Sequence, residues 1–261
     1  MLDKFYTDPT IIPPLLENID FGLYDCVVEP SAGNGSFSNI LKYRHHNVHS
    51  YDILPDSSDI SQADFLKDTL QVFSRYERIL VIGNPPFGRQ SNMAVKFFNR
   101  AARYSSVQSI AMIFPKSFRK ASIQNRLSLD FLITAEMDIP EKSFLEDTVR
   151  VDVPCIFQVW NRTEQARSKH ASSALVHNDM KFVKKEECTE DTLAIRRVGF
   201  YAGKCEPYNN HNEQSHLFLH TDRGSVVMDF LNGIEWKHND TVGPRSISKQ
   251  DFIHKLNKLP L

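Results

Sequence analysis

Apolar residues fall along the chain in two rhythms. Short, nearly continuous apolar runs stand at 26–28, 48–51, 79–82, 110–114, 132–135 and 155–160. Runs of that length suit strands covered on both faces. Between them, 37–43, 65–76 and 93–104 have the spacing of helices. In the last, Ala94, Phe97, Phe98, Ala101 and Ala102 recur at three- and four-residue intervals and mark one buried face. Strands alternating with helices over the first 160 residues predict an α/β fold, a Rossmann-like sheet flanked by helices.

After Trp160 the rhythm breaks. The stretch 161–185 turns polar, and a domain boundary is expected there, giving a catalytic domain over 1–162 and a second module over 163–261. Within the module, 193–198 and 217–220 read as short strands and 225–232 as a helix. Ser248 is placed to cap a further helix running through Phe252 to Leu256. The module is predicted to be a small α+β unit, and the chain shows no internal repeat or low-complexity tract.

Composition narrows the class. Of 261 residues, 41% are hydrophobic, enough for a substantial core and too many for wholesale disorder. No apolar run approaches the roughly 18 residues of a membrane helix, and Met1-Leu2-Asp3-Lys4 lacks a signal-peptide layout. Cys26, Cys155, Cys188 and Cys205 are scattered without a C-x-x-C pair. The expectation is therefore a reducing, intracellular setting with neither disulfides nor a metal site. Net charge is −1, divided as −3 over 1–160 and +2 over 161–261, and the second part holds seven of the ten histidines. That small basic excess is compatible with an anionic partner without requiring one.

Three segments carry chemistry. In Glu29-Pro30-Ser31-Ala32-Gly33-Asn34-Gly35 a strand ends in an acid and a Gly-x-Gly turn leads into a helix. Gly33 and Gly35 let backbone approach a ligand closely. An acid so near the glycines would repel a pyrophosphate and suits a zwitterionic, sulfonium-bearing ligand better; a tight strand-to-helix turn would account for the same glycines. Asp52, followed by Ile53, ends the next strand at an interval where an acid can meet a ribose. Asp64-Phe65 follows, where Asp64 can cap a helix or accept from an exocyclic amine.

The third segment is Val81-Ile82-Gly83-Asn84-Pro85-Pro86-Phe87-Gly88. Two prolines stop the strand and stiffen the backbone at the sheet edge where α/β folds bind ligands. Asn84 offers a side-chain carbonyl and Pro85 a main-chain one. Two converging acceptors can hold both protons of an amino group, and Phe87 offers an aromatic face on which a base can stack.

With these motifs in this order, residues 5–160 resemble the class I S-adenosylmethionine-dependent adenine-N6 methyltransferases. Phe5-Tyr6-Thr7-Asp8-Pro9 is similar to the N-terminal cofactor motif of the gamma subgroup, and Glu29 to Gly35 to its cofactor loop. The resemblance implies S-adenosyl-L-methionine as cofactor, touched by Tyr6, Thr7, Glu29, Ser31, Ala32, Gly33, Gly35, Asp52, Ile53, Asp64, Phe65 and Asn84. It implies Asn84-Pro85-Pro86-Phe87 as the catalytic tetrapeptide, and a seven-stranded sheet whose last two strands form a hairpin. Phe144, in the hairpin's loop, would clamp a flipped base opposite Phe87.

In methylases of this order a target-recognition segment follows the catalytic domain. Arg196, Arg197 and Lys249 are the leading candidates for contact with nucleic acid, with Lys204, His220, Arg245, Ser246 and Ser248 beside them. DNA is the favoured substrate by motif order, and RNA is the alternative with the same chemistry. A catalytically silent nucleic-acid-binding subunit and a protein-glutamine methyltransferase also stay open. No membrane partner is expected, and oligomeric state is not legible.

Overall fold

The computed structural model describes residues 5–146, 149–171, 173–236 and 246–259. They form two units, 1–170 and 171–261, each with its own core. No helix is long and apolar enough to cross a membrane among the described residues.

The first unit contains β1 (Tyr6–Thr7), β2 (Cys26–Glu29), β3 (Val48–Asp52), β4 (Ser61–Gln62), β5 (Ile79–Gly83), β6 (Val107–Pro115), β7 (Phe131–Asp138), β8 (Phe144–Glu146), β9 (Val149–Val151) and β10 (Cys155–Arg162). Its helices are α1 (Ile12–Leu16), α2 (Ser36–Arg44), α3 (Val72–Arg75), α4 (Asn92–Ala102) and α5 (Ala121–Gln124). Seven strands make one mixed sheet in the order β4-β3-β2-β5-β6-β10-β7. The strands from β4 to β6 run parallel, while β10 lies antiparallel between β6 and β7. This is the expected α/β architecture, including the antiparallel pairing of the last two strands.

The continuous apolar runs reflect burial on both sides. Cys26, Val28, Ile79, Val81, Ile110, Met112 and Phe114 face one core with α4. Their neighbours Val27, Leu80, Ile82, Ala111 and Ile113 face the other with α1 and α2. In the first core Phe98 of α4 meets Trp160 and Phe131 nearly edge-on, at 5.4 and 5.8 Å between ring centres.

Two local expectations change. The helix predicted over 65–76 shrinks to α3, because Arg100 of α4 donates to the carbonyls of Phe65 and Asp68 at 3.2 and 2.9 Å. Those acceptors are lost to a helical ladder. The loop predicted within the β7–β10 hairpin instead holds β8 and β9, and β8 pairs with β1 to fasten the N-terminal segment.

The units divide after His170 rather than at 162. Arg167 explains the shift, since its guanidinium donates to the carbonyls of Phe131 and Gln124 at 3.0 and 2.6 Å. The second unit holds β11 (Met180–Val183), β12 (Thr192–Arg196), β13 (Cys205–Pro207) and β14 (His216–Thr221), with α6 (Gly224–Asn232) and α7 (Lys249–Leu256). The strands form an antiparallel sheet, β11-β14-β12-β13. Val227 and Leu231 of α6 and Phe252 and Leu256 of α7 cover Leu193, Ile195 and Leu219. Ser248 caps α7 as expected, accepting from the Asp251 amide at 3.2 Å.

Phe98→Ala should lower unfolding free energy by about 3–5 kcal/mol, because it opens a cavity in a core that cannot collapse around it. Tyr43→Ala, at a position 90% exposed, should change it by less than about 0.5 kcal/mol. Urea denaturation of both variants checks the contrast; equal losses would contradict the assigned core.

Candidate active site

Strand order reverses between β2 and β5: the chain runs outward from β2 to β3 and β4, then resumes at β5 on β2's other side. The crevice at the carboxyl ends of such neighbours is where open α/β sheets bind ligands. Two of the predicted segments, the Gly33–Gly35 turn and the Asn84 turn, leave the sheet there side by side. Ser31 Oγ donates to the main-chain carbonyl of Asn84 at 3.2 Å and ties them together.

The glycine turn has the geometry its sequence predicts. Gly33 and Gly35 sit at φ +51° and +83°, and Gly35 leads directly into α2. Asn34 Oδ1 accepts from the Ser36 amide and hydroxyl, satisfying donors of the helix's first turn. Tyr6 packs its ring on Gly33, where an added Cβ would stand 3.0 Å from Tyr6 Cε1. Its hydroxyl donates to Asp56 at 2.5 Å. Ala32 is buried and its amide donates to Tyr51 O.

Asp52 sits at the end of β3 and accepts the Gly33 amide on one carboxylate oxygen and the Leu54 amide on the other, each at 2.8 Å. Each oxygen keeps a second lone pair for a ligand hydroxyl. Ile53 and Leu54 beside it are 50% and 59% exposed, an open aliphatic surface next to a carboxylate.

Asn84 carries the least ordinary feature of the site. Its Nδ2 donates to Phe5 O and Thr7 Oγ1, both at 3.2 Å. Phe5 O can only accept, which fixes the amide with its nitrogen toward the N-terminal segment. Oδ1 is therefore turned away from it, and among the described residues this buried oxygen has no hydrogen-bond partner. A buried acceptor left unmade costs free energy unless something bound supplies a hydrogen. Pro85 is buried, Pro86 and Phe87 half-buried, and Phe87 borders both cores of the unit. The Phe87 carbonyl accepts from the Met93 amide at 3.0 Å, so the turn also starts α4.

Burial takes four residues, Glu29, Thr7, Phe65 and Phe144, out of the open site, and Asp64 is engaged by its own neighbours. Glu29 offers no open charge: it is 1% exposed, bonded by Ser38 Oγ, with Gly83 (φ +146°) so close that an added Cβ would lie 3.2 Å from Glu29 Cγ. Burial pushes its carboxyl up to about 8, so it is protonated at neutral pH. Thr7 is 3% exposed and supports Asn84 from behind. Phe65 is 2% exposed and packed between Phe73 and Phe97, and Asp64 is engaged by Lys67, whose ion pair holds its carboxyl below the usual range, and by the Leu66 amide. Phe144, the first residue of β8, is 1% exposed with its side chain in the core, so it cannot clamp a base.

In the second unit, Arg196 donates to Val198 O, and Arg197 keeps a buried Nε without a partner among the described residues. Lys249 lies 4.6 Å over the Phe182 ring and lines a cavity of about 430 Å³ with Lys184 and Lys185. Lys204 pairs with Glu206 at 2.6 Å and His220 meets Thr189 Oγ1; Arg245 lies outside the described residues. Glu206, His211 and His216, for which the sequence suggested no shared role, come together in this unit. Their even spacing, Glu-x4-His-x4-His, was the available signal.

Among solved structures, the chain is similar to the 23S rRNA methyltransferase ErmE, at 14% identity over 62% of this chain and 71% of that one, with a TM-score of 0.44. It is also similar to a candidate hemolysin from Streptococcus thermophilus (10%, 60% and 66%, TM-score 0.43). A candidate RNA methyltransferase from Pyrococcus horikoshii gives 15%, 62%, 88% and 0.42. No protein-family model and no curated protein matches the chain.

The Glu29 carboxyl makes stability depend on pH. The folded state keeps its proton up to about 8, whereas an unfolded glutamate ionises near 4.5. The stabilisation is complete below the lower value and is lost as pH rises through the upper one. The native chain's Tm should therefore fall by several degrees between about pH 5 and about pH 9, and Glu29→Gln should flatten that fall. Calorimetric melts of both proteins measure it; parallel curves would show that Glu29 is ionised in the fold.

Proposed function

We propose that the chain is an adenine-N6 methyltransferase that uses S-adenosyl-L-methionine and acts on DNA. The observation that carries the reading is Asn84 Oδ1, a buried carbonyl oxygen without a partner at the switch point of the sheet, on an amide whose nitrogen is already engaged. Such an oxygen can receive an N–H and cannot donate one.

The residues at the Gly turn fit the cofactor. Gly33 and Gly35 turn with positive φ at the head of α2, Asp52 retains acceptor capacity for ribose hydroxyls, and Ile53 offers an aliphatic face for an adenine ring. Bound there, the cofactor supplies an electrophilic methyl group carried on a sulfonium.

The rest is done by this chain's own groups. The target base leaves its stack, at a cost of a few kcal/mol, and lies on Phe87. Asn84 Oδ1 and the Pro85 carbonyl accept its two amino hydrogens. Holding both leaves the nitrogen lone pair as the exposed nucleophile, and the same carbonyl dipoles favour positive charge as it builds on nitrogen. Thr7 and Phe5 keep the amide from rotating, so the acceptor is preorganised and does not have to be assembled at each turnover. Glu29, neutral and buried, supports the floor between β2 and β5 instead of pairing with the ligand. DNA is favoured over RNA by the motif order and by a second unit following the catalytic one.

The test is to incubate the full chain with isotopically labelled cofactor and either duplex DNA or structured RNA, then digest and identify the modified nucleoside. N6-methyladenine in the DNA arm is expected. Label confined to RNA overturns the choice of DNA, and label on cytosine or on protein overturns the chemistry. Asn84→Ala should cut transfer by about 10²–10³-fold, with cofactor affinity falling less than about tenfold. Transfer within about threefold of the native rate would remove Asn84 from its role.

A further inference from the structure

Within the second unit itself, three ligand-capable side chains come together from separate places. Glu206 lies in β13, His216 opens β14, and His211 stands on the turn joining them. One ligand atom from each lies within 4.8 Å of the others. We propose that Glu206, His211 and His216 form a binding site for one divalent transition-metal ion of the zinc type.

The hydrogen bonds of His216 point to this use. The residue is 5% exposed, and its Nδ1 lies 3.0 Å from Ser215 Oγ and 3.2 Å from Asn212 O, a carbonyl that can only accept, while the Ser215 hydroxyl spends its own hydrogen on that same carbonyl at 3.2 Å. Nδ1 therefore carries the hydrogen, and Nε2 presents a lone pair. That Nε2 is buried and without a partner among the described residues. A ring fixed through one nitrogen to a backbone carbonyl, with the other nitrogen bare, is the arrangement of a metal-ligating histidine.

Glu206 and His211 are already in contact, with Nε2 to Oε1 at 2.9 Å. Binding asks for two rearrangements. His211 must move its hydrogen from Nε2 to Nδ1 and release the Asn209 amide, now 3.1 Å from Nδ1; Asn209 is exposed, so water can replace that contact. Lys204, paired with Glu206 Oε2, must turn into solvent, and its side chain is already 56% exposed. Arg196 stands opposite His216 in the β12–β14 pairing, and the Glu206 carboxylate sets a negative charge in the cluster. Two histidines and one carboxylate match a zinc ligand set that leaves one position for water.

Titrating zinc ions alone into the full chain by calorimetry tests the site. One zinc per chain is expected, with a higher melting temperature in the metal's presence. Tetrahedral visible absorption should appear when cobalt replaces zinc. His211→Ala and Glu206→Gln sit on the outer side of the cluster, and each should weaken binding by at least about tenfold while leaving circular dichroism unchanged. Cys188→Ser should bind as the native chain does. Failure to saturate at one zinc per chain, or native affinity in both ligand variants, would overturn the site.

Discussion

The amide of Asn84 cannot satisfy itself where it stands. Its nitrogen bonds back to Phe5 and Thr7, and its oxygen is left in a buried place with nothing to accept. Everything that fixes this orientation lies elsewhere in the chain. β1 is held against β8, and Asp8 bonds its amide to Ser143 O while its carboxylate pairs with Arg150. The two-proline turn stops β5 at the sheet edge, and Ser31 fastens that turn to the glycine loop. An unmet acceptor survives in a native protein when the surrounding structure over-determines it, which is the usual condition of a functional group.

Charge is managed in the opposite way a few ångströms behind that edge. Glu29 ends the strand next to β5 and is held neutral by burial, with Ser38 on its carboxyl and Ser50 at 2.6 Å from Ser38 Oγ. Asp52, one strand further out, is partly exposed and accepts two backbone amides. Two acids that read alike along the sequence thus divide their roles by depth. The deeper one is a hydrogen-bonded part of the floor, and the shallower one keeps acceptor capacity facing outward.

The second unit follows a different plan, a four-stranded antiparallel sheet backed by two helices. Lys204 just before β13, Glu206 in β13, His211 on the connecting turn and His216 at the start of β14 gather in one place.

Much of the first unit was legible in the order of residues. Continuous apolar runs mark strands covered on both faces, the stripe from Ala94 to Ala102 marks α4, and Gly33, Gly35, Pro85 and Pro86 mark turns that local sterics alone require. These features depend on neighbours within a few positions, so a linear reading reaches them. What the linear reading missed depends on elements far apart in the chain. Phe65 and Phe144 became core because α4 and β1 close over them, and 65–70 lost its helix to Arg100. Glu29 kept its proton because two strands and a helix exclude water from it. Glu206, His211 and His216 met because β13 and β14 pair on either side of β12 and the segment joining them crosses over it. Backbone preference is set by local sterics, whereas burial, protonation and the meeting of side chains are set by long-range packing; the amino-acid order therefore determined the turns and the strands, and only the tertiary structure decided which of their side chains remain open to a ligand.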